Sequence, residues 1–405
     1  MTERGPIFIC AALILWITGC TSVDAVWWRE ERGPTRQGRY QGLVVADLNR
    51  DEYIDIITTE PENDAVIVFL GTPGRWQARE LTAQRPTRSV AVGDLDRDRN
   101  LDIVVTTMRS VEIWIGDGQG GFESQGELEL HGEFEDVSLA DLDGNGWLDI
   151  ILADNSPIDS SGILVCYALE TLRWSKPRGP RATESFADIE VVDVDGDGAL
   201  DLLGAASSPE GGAYYWRNDR NGGWHPSIRF GDSPVHGVCA ADVDGDGRSE
   251  IVSARAAGGL VYYDEQPDGR WEENCLTDVG RYWRVSVGTV TSDSIPDIIA
   301  TSIDSHDPGL HLWIGEGEGE FRRWEGATPA GGAAVYYDLF TGDIDRDGLL
   351  DVAATNWSEA PQLWLTRGMG FTPFLGSGTD VPYGSPIDEH TSNDLPEIEG
   401  TWPRH

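Results

Sequence analysis

The nine residues from Asp193 to Asp201, DVDGDGALD, carry carboxylates at positions one, three, five and nine and a glycine, Gly198, at position six. In a tight loop the first three acids converge from one side and the ninth closes from the other, while glycine permits a turn with positive φ. The product is a cage of hard oxygens. Such a cage suits Ca²⁺, which takes about six to eight oxygen ligands, and suits Zn²⁺ poorly because no Cys or His is at hand. An EF-hand would need flanking helices and a bidentate Glu at position twelve. Position twelve is Gly204 here and Val105 in another copy, and the flanks alternate as strands do.

The segment returns along the chain. Copies start at Asp47, Asp94, Asp141, Asp193, Asp242, Thr289 and Asp343, at intervals of 47 to 54 residues, which marks a repeat architecture. Four loops keep oxygen side chains at all four positions and Gly at position six. They are Asp141, Asp143, Asn145 and Asp149; Asp193, Asp195, Asp197 and Asp201; Asp242, Asp244, Asp246 and Glu250; and Asp343, Asp345, Asp347 and Asp351. Two more keep the oxygens, Asp47, Asn49, Asp51 and Asp55, and Asp94, Asp96, Asp98 and Asp102, but have Glu52 or Arg99 in place of the glycine. The Thr289 loop retains only Asp293 and Asp297 and inserts Pro296, so no ion is expected there. The expectation is therefore six Ca²⁺ sites, each pinning one hairpin.

Around each loop the pattern is all β. In the second unit Arg88 to Gly93 alternates into a strand, the Asp94 loop turns the chain, Leu101 to Thr106 returns, Val111 to Ile115 follows, and Phe122 to Leu130 closes after a Gly-rich turn. Four short antiparallel strands per unit make one propeller blade, and seven units predict a seven-bladed β-propeller. An independent register supports this. Aromatics recur in the third strand at Phe69, Trp114, Tyr167, Trp216, Tyr263, Trp313 and Trp364, and again at Trp76, Phe122, Trp174, Trp224, Trp271, Phe321 and Phe371. Rings at fixed positions in every unit are expected to pack between blades.

The run VAVGDLDRDRNLDIVVTTMRSVEIWIGDGQGGF, Val90 to Phe122, resembles an FG-GAP or VCBS repeat, the unit of the integrin α-chain propeller and of many bacterial surface proteins. The resemblance spans roughly residues 26 to 375. It implies a seven-bladed propeller with Ca²⁺ in the loops between first and second strands, all on one face. It does not imply one function.

The domain reading is residues 1–19 as a signal peptide, 20–37 as an N-terminal segment able to close the ring, 38–375 as the propeller and 376–405 as a tail rich in Pro, Gly, Ser and acid. Val26 to Arg32 matches a fourth strand that lacks its own blade, although Phe371 also occupies a fourth-strand position. The apolar run Ile7 to Ile17 is too short to span a bilayer and reads as a signal core. Ile17-Thr18-Gly19-Cys20 resembles a lipobox, which implies lipidation at Cys20 and a membrane-anchored, exported protein on a bacterial envelope, the outer membrane or cell surface; the alternative is an ordinary secretory signal and a protein secreted free. Cys166, Cys239 and Cys275 form no disulfide framework and are expected as buried small hydrophobes. A net charge of −40 argues against nucleic acid and against binding an anionic membrane surface directly.

The segments entering each first strand differ between units that otherwise repeat. Arg88, Phe134, His236, Trp283 and Tyr337 are the candidates for binding a sugar or peptide at the channel mouth, on the face opposite the ions. The reading that follows is a non-enzymatic binding or adhesion module for an envelope or extracellular glycan or protein. The alternatives are a Ca²⁺-dependent polysaccharide-lyase-like enzyme using His236, Arg88 or a Tyr of that face, and a scaffold subunit. No catalytic motif of strand-helix type is present.

Overall fold

The computed structural model describes residues 27–31 and 33–367, apart from 129, 131, 157–161, 181, 221–222, 292, 325–333 and 358. Cys20, the signal segment, Phe371 and the tail 376–405 lie outside the described residues. Among those described there is no α-helix, and the only helical turn is a 3₁₀ turn at Pro61–Asn63. The rest is β-strand and loop, folded as a seven-bladed propeller of mostly four-stranded antiparallel sheets.

Blade two shows how sequence becomes blade. Its strands are Thr87–Gly93, Asp102–Thr107, Val111–Gly116 and Phe122–Leu128, running from the channel outward. Val90 pairs with Val105, Ile103 with Trp114 and Gly116 with Phe122. Every residue of the second strand is buried, because the sheet is covered on both faces by its neighbours. The fourth strand, at the rim, is half exposed.

The core is correspondingly divided into seven clusters, each formed between adjacent blades. Val44, Val66 and Val68 of blade one, for example, meet Val90, Ile103 and Trp114 of blade two. The recurrent aromatics are in these seams: Trp216, Trp313 and Trp364 are each 2% exposed. The circle closes where Ile67 and Phe69 of blade one pack with Phe340 and Leu363 of blade seven.

Blade seven takes its outer strand from the other end of the chain. Trp27–Glu31 pairs antiparallel with Gln362–Arg367, Trp27 opposite Arg367 and Glu31 opposite Leu363. This gives the last blade its fourth strand and ties the two ends of the ring together. Blade three departs from the common plan. Its sheet has three strands, and the outer position is held by the hairpin Ala168–Glu170 and Arg173–Trp174 and a single bridge from Val165 to Arg178.

Two of the three cysteines are buried as expected, Cys166 and Cys239. Cys275 is not. It lies in the outermost strand of blade five, Trp271–Thr277, where side chains face solvent.

Candidate functional site

The acidic loops all join first to second strands and are built on one plan. In blades one to four the position-one carboxylate accepts from the backbone N–H groups of positions five and six: Asp193 takes Asp197 at 3.0 Å and Gly198 at 2.7 Å, and Asp94 takes Asp98 at 3.1 Å and Arg99 at 2.8 Å; in blade five Asp242 takes Gly245 at 2.7 Å and Gly247 at 3.0 Å instead. The position-five side chain then accepts from position seven, as Asp197 does from Ala199 at 2.8 Å. These Asx turns need two left-handed residues, at positions four and six, where sequence reasoning placed one. Gly196 and Gly198 supply them at φ 69° and 87°. In the loops lacking glycine, Arg50 and Glu52 and likewise Arg97 and Arg99 adopt φ between 57° and 73°, at a cost of about 1–2 kcal/mol per residue.

Position nine does something the sequence pattern did not reveal. In six blades one carboxylate oxygen accepts from the N–H of position two and the other from an N–H of the third strand or the hairpin after it. Asp55 holds Leu48 and Gly71, both at 2.8 Å; Asp102 holds Leu95 and Gly116; Asp351 holds Ile344 and Thr366. Even Asp297, in the loop that lost its other acids, holds Val290 at 2.8 Å and Gly315 at 3.0 Å. All seven residues are fully buried. Position nine is thus a staple tying loop, second strand and third strand together. Burial pushes Asp55, Asp102, Asp149, Glu250 and Asp351 up to about 7, against the pull of their N–H donors.

Several loops bring carboxylate oxygens within 4.8 Å of one another: Asp94, Asp96 and Asp102; Asp141, Asp143 and Asp149; Asp193, Asp195 and Asp197; Asp242, Asp244 and Asp246. These clusters can hold a metal ion, and their all-oxygen donor set fits a hard divalent cation. The surroundings differ. In blade four Arg217 reaches Asp195 at 2.5 Å and Asp197 at 3.4 Å, and Arg220 reaches Asp197 at 3.0 Å. In blade six the Thr291 hydroxyl bonds Asp293 at 2.7 Å and Asp297 at 3.2 Å, closing the loop with neutral groups.

The opposite face is shaped by a β-bulge in the first strands. Val235 pairs with Arg255 and Gly237 with Ala254, so His236 is the extra residue; Tyr337 is extra between Tyr336 and Asp338, and the same irregularity covers Arg88 and Trp283. A bulge re-aims the side chain it carries. The residue before it turns into the wall: Tyr40, Phe134, Phe186, Tyr282 and Tyr336 are at most 2% exposed, and four of them stand edge-on or tilted against their blade's third-strand aromatic at 5.6–6.1 Å. Phe134, proposed from sequence as a ligand contact, is therefore a core residue. Its ring completes the blade two–three seam.

The bulged residues of blades five, six and seven form a row. His236 stacks on Trp283 with centroids 4.2 Å apart, Trp283 meets Tyr337 edge-on at 6.1 Å, and Tyr337 stacks on Trp357 at 4.2 Å. Trp357, which sequence reasoning missed, follows the second strand of blade seven and is 47% exposed. Burial lowers His236 to about 4, with Arg284 and Arg281 adding to the effect, so its ring is neutral at physiological pH. Arg88 is not part of the row. It faces Glu135 at 3.8 Å on blade three.

Between the two faces, Arg284 crosses the channel to Asp188 at 3.0 Å and Asp338 at 3.2 Å, clasping blades four, six and seven. Beneath it, toward the acidic loops, lies a mainly apolar cavity of about 290 Å³ whose wall includes Val45, Val92, Leu139, Val191 and Phe340.

Fold and loops together define a seven-bladed β-propeller with an acidic hairpin loop repeated around one face. The FG-GAP-like repeat matches residues 47–105, 94–152, 193–253 and 290–354, together more than half of the chain, and the protein belongs to that family. No curated protein matches it in sequence. Among solved structures it is similar to BBS1N in complex with ARL6DN, at 13% identity and TM-score 0.58, covering 84% of this chain and 97% of that one. It is also similar to an Agrocybe aegerita lectin that recognises non-reducing terminal N-acetylglucosamine, at 16% identity and TM-score 0.54, covering 80% and 98%. At these identities the likeness is one of fold.

Proposed function

We propose that this propeller is a non-enzymatic interaction module of the bacterial envelope, exported, held to the membrane through a lipid on Cys20, and stiffened by Ca²⁺ in its loops. Its binding surface is the aromatic row on the face opposite those loops, and its ligand is an envelope or extracellular glycan. The observation that carries the reading is the pair Tyr337 and Trp357. One ring is stacked flat on the other and leaves an indole 47% exposed at the surface. A ring already immobilised by its neighbour loses little freedom on binding, and its face suits the C–H surface of a sugar. The two similar propellers serve one protein complex and one sugar, so a protein partner is the second outcome to examine.

The test is a glycan array run with wild type, Trp357→Ala and Trp283→Ala, beside a pull-down from envelope extract. Each substitution is expected to weaken the bound glycan by about 1–3 kcal/mol with metal content unchanged. Normal binding by both variants places the functional surface elsewhere, and a protein captured without any glycan hit replaces the sugar reading. For the anchor, Cys20→Ala is expected to move the protein from the membrane fraction to the soluble one. A variant that stays with the membrane removes lipidation from the account.

A further inference from the structure

Blade five alters the loop plan at three points. Its position-five acid, Asp246, is engaged by Arg248 at 2.9 Å. Its position nine is Glu250, one methylene longer than the aspartate of every other blade, and fully buried. One oxygen of Glu250 still accepts from Val243 at 2.7 Å, but the other, Oε1, has no hydrogen-bond partner. In the other blades that second oxygen is satisfied by an N–H from the third strand or the hairpin after it. A buried carboxylate oxygen without a donor is costly unless a cation meets it.

The third strand supplies the rest. Its register, Ile251 opposite Tyr263, puts Asp264 directly across from Glu250. One carboxylate oxygen from each of Asp244, Glu250 and Asp264 lies within 4.8 Å of the other two. At the corresponding place the other blades have Leu70, Ile115, Tyr167, Arg217, Ile314 and Leu365, so blade five alone faces its loop with an acid there.

We propose that Asp264 joins Asp244 and Glu250 of the blade-five loop as a third carboxylate on one divalent-cation site, drawn toward the sheet by this cross-strand acid, that takes a hard ion of the calcium class. Three carboxylates carry more charge than one divalent ion neutralises, and among the described residues no arginine lies within ion-pair distance of any of the three, Arg248 acting on Asp264 only as a longer-range charge. The ion would bridge second and third strands directly, supplying the cross-strand link that Glu250 Oε1 leaves unmade. The inference rests on the reading that these loops take divalent cations at all.

The full-length protein, freed of metal and dialysed against CaCl₂, is compared with Asp264→Asn and Glu250→Gln by metal analysis and calorimetric titration. Asp293→Ala, in the loop closed by threonine, serves as control, and melting curves without metal check folding. Both isosteric variants are expected to lose one bound Ca²⁺ or weaken one class of sites about tenfold or more, while the control matches wild type. Retention of wild-type stoichiometry and affinity by Asp264→Asn overturns the site while leaving the other loops in place. Failure of wild type to bind any divalent cation overturns the broader reading, and this site with it.

Discussion

Blades four and five contain the same hexapeptide, DVDGDG, at residues 193–198 and 242–247. In blade four the residue facing position nine is Arg217, whose guanidinium lies on Asp195 and is joined by Arg220 on Asp197. In blade five the same place holds Asp264, and the loop's only arginine, Arg248, engages Asp246 at 2.9 Å. One loop brings its own counter-charge and the other adds to its deficit. The six residues that look most like a cation site are therefore insufficient to rank sites; the strand opposite them decides whether an external ion is needed.

Three experiments break or sharpen this contrast. The largest effect is expected from the element both blades share, the position-nine staple. Asp297→Ala, in the blade without a loop cage, orphans the N–H groups of Val290, Thr291 and Gly315, each worth about 1–3 kcal/mol when buried unpaired. Chemical denaturation is expected to show a loss of at least about 3 kcal/mol, equal with and without Ca²⁺. A loss that appears only in Ca²⁺ would make position nine a ligand first and a staple second.

Removal of divalent cations comes next. At a free concentration a hundredfold above Kd an ion bound only by the native state adds about 2.7 kcal/mol, so chelation should lower the melting temperature. Hydrogen exchange should localise the gain, with Ca²⁺ protecting Ile251–Tyr263 more than Leu202–Trp216. Equal protection would dissolve the distinction between the blades. The smallest effect belongs to Arg217→Leu. Its ion pairs are half exposed and should cost less than about 1 kcal/mol to remove without metal, yet Asp195, freed of its counter-charge, should raise the loop's Ca²⁺ affinity, read by titration. Unchanged affinity would mean that the guanidinium and the ion never compete.

The fold was legible because its signals repeat. Loop, strands and two aromatic positions agree across the units, and agreement between independent registers is what a single motif lacks. The wall aromatics were misassigned in one case, Phe134, for a geometric reason: the bulge separates neighbours in sequence, sending Phe134 inward and the following residue out. Nothing in composition marks which of two adjacent positions is bulged. Trp357 was missed because it lies outside the repeat register, in a connection. Arg217 and Asp264 were invisible as partners because cross-strand neighbours are many residues apart in sequence, and only the β register joins them to their loops.

The closing strand has a consequence for the order in which the molecule can be made. Trp27–Glu31 is made before every blade strand and can pair with Gln362–Arg367 only once all the intervening strands have been made. Joining segments so far apart costs loop entropy unless the chain between them is already compact, and then the cost is small because the growing ring brings its own ends together. A chain in which the other blades have folded before this pairing therefore has one incomplete sheet, whose open edge is the outer side of Gln362–Arg367. Until the late pairing is made, that edge is the place where a second unfinished copy could insert its own first strand, so the fidelity of folding hinges on how fast the circle shuts relative to how often nascent chains meet.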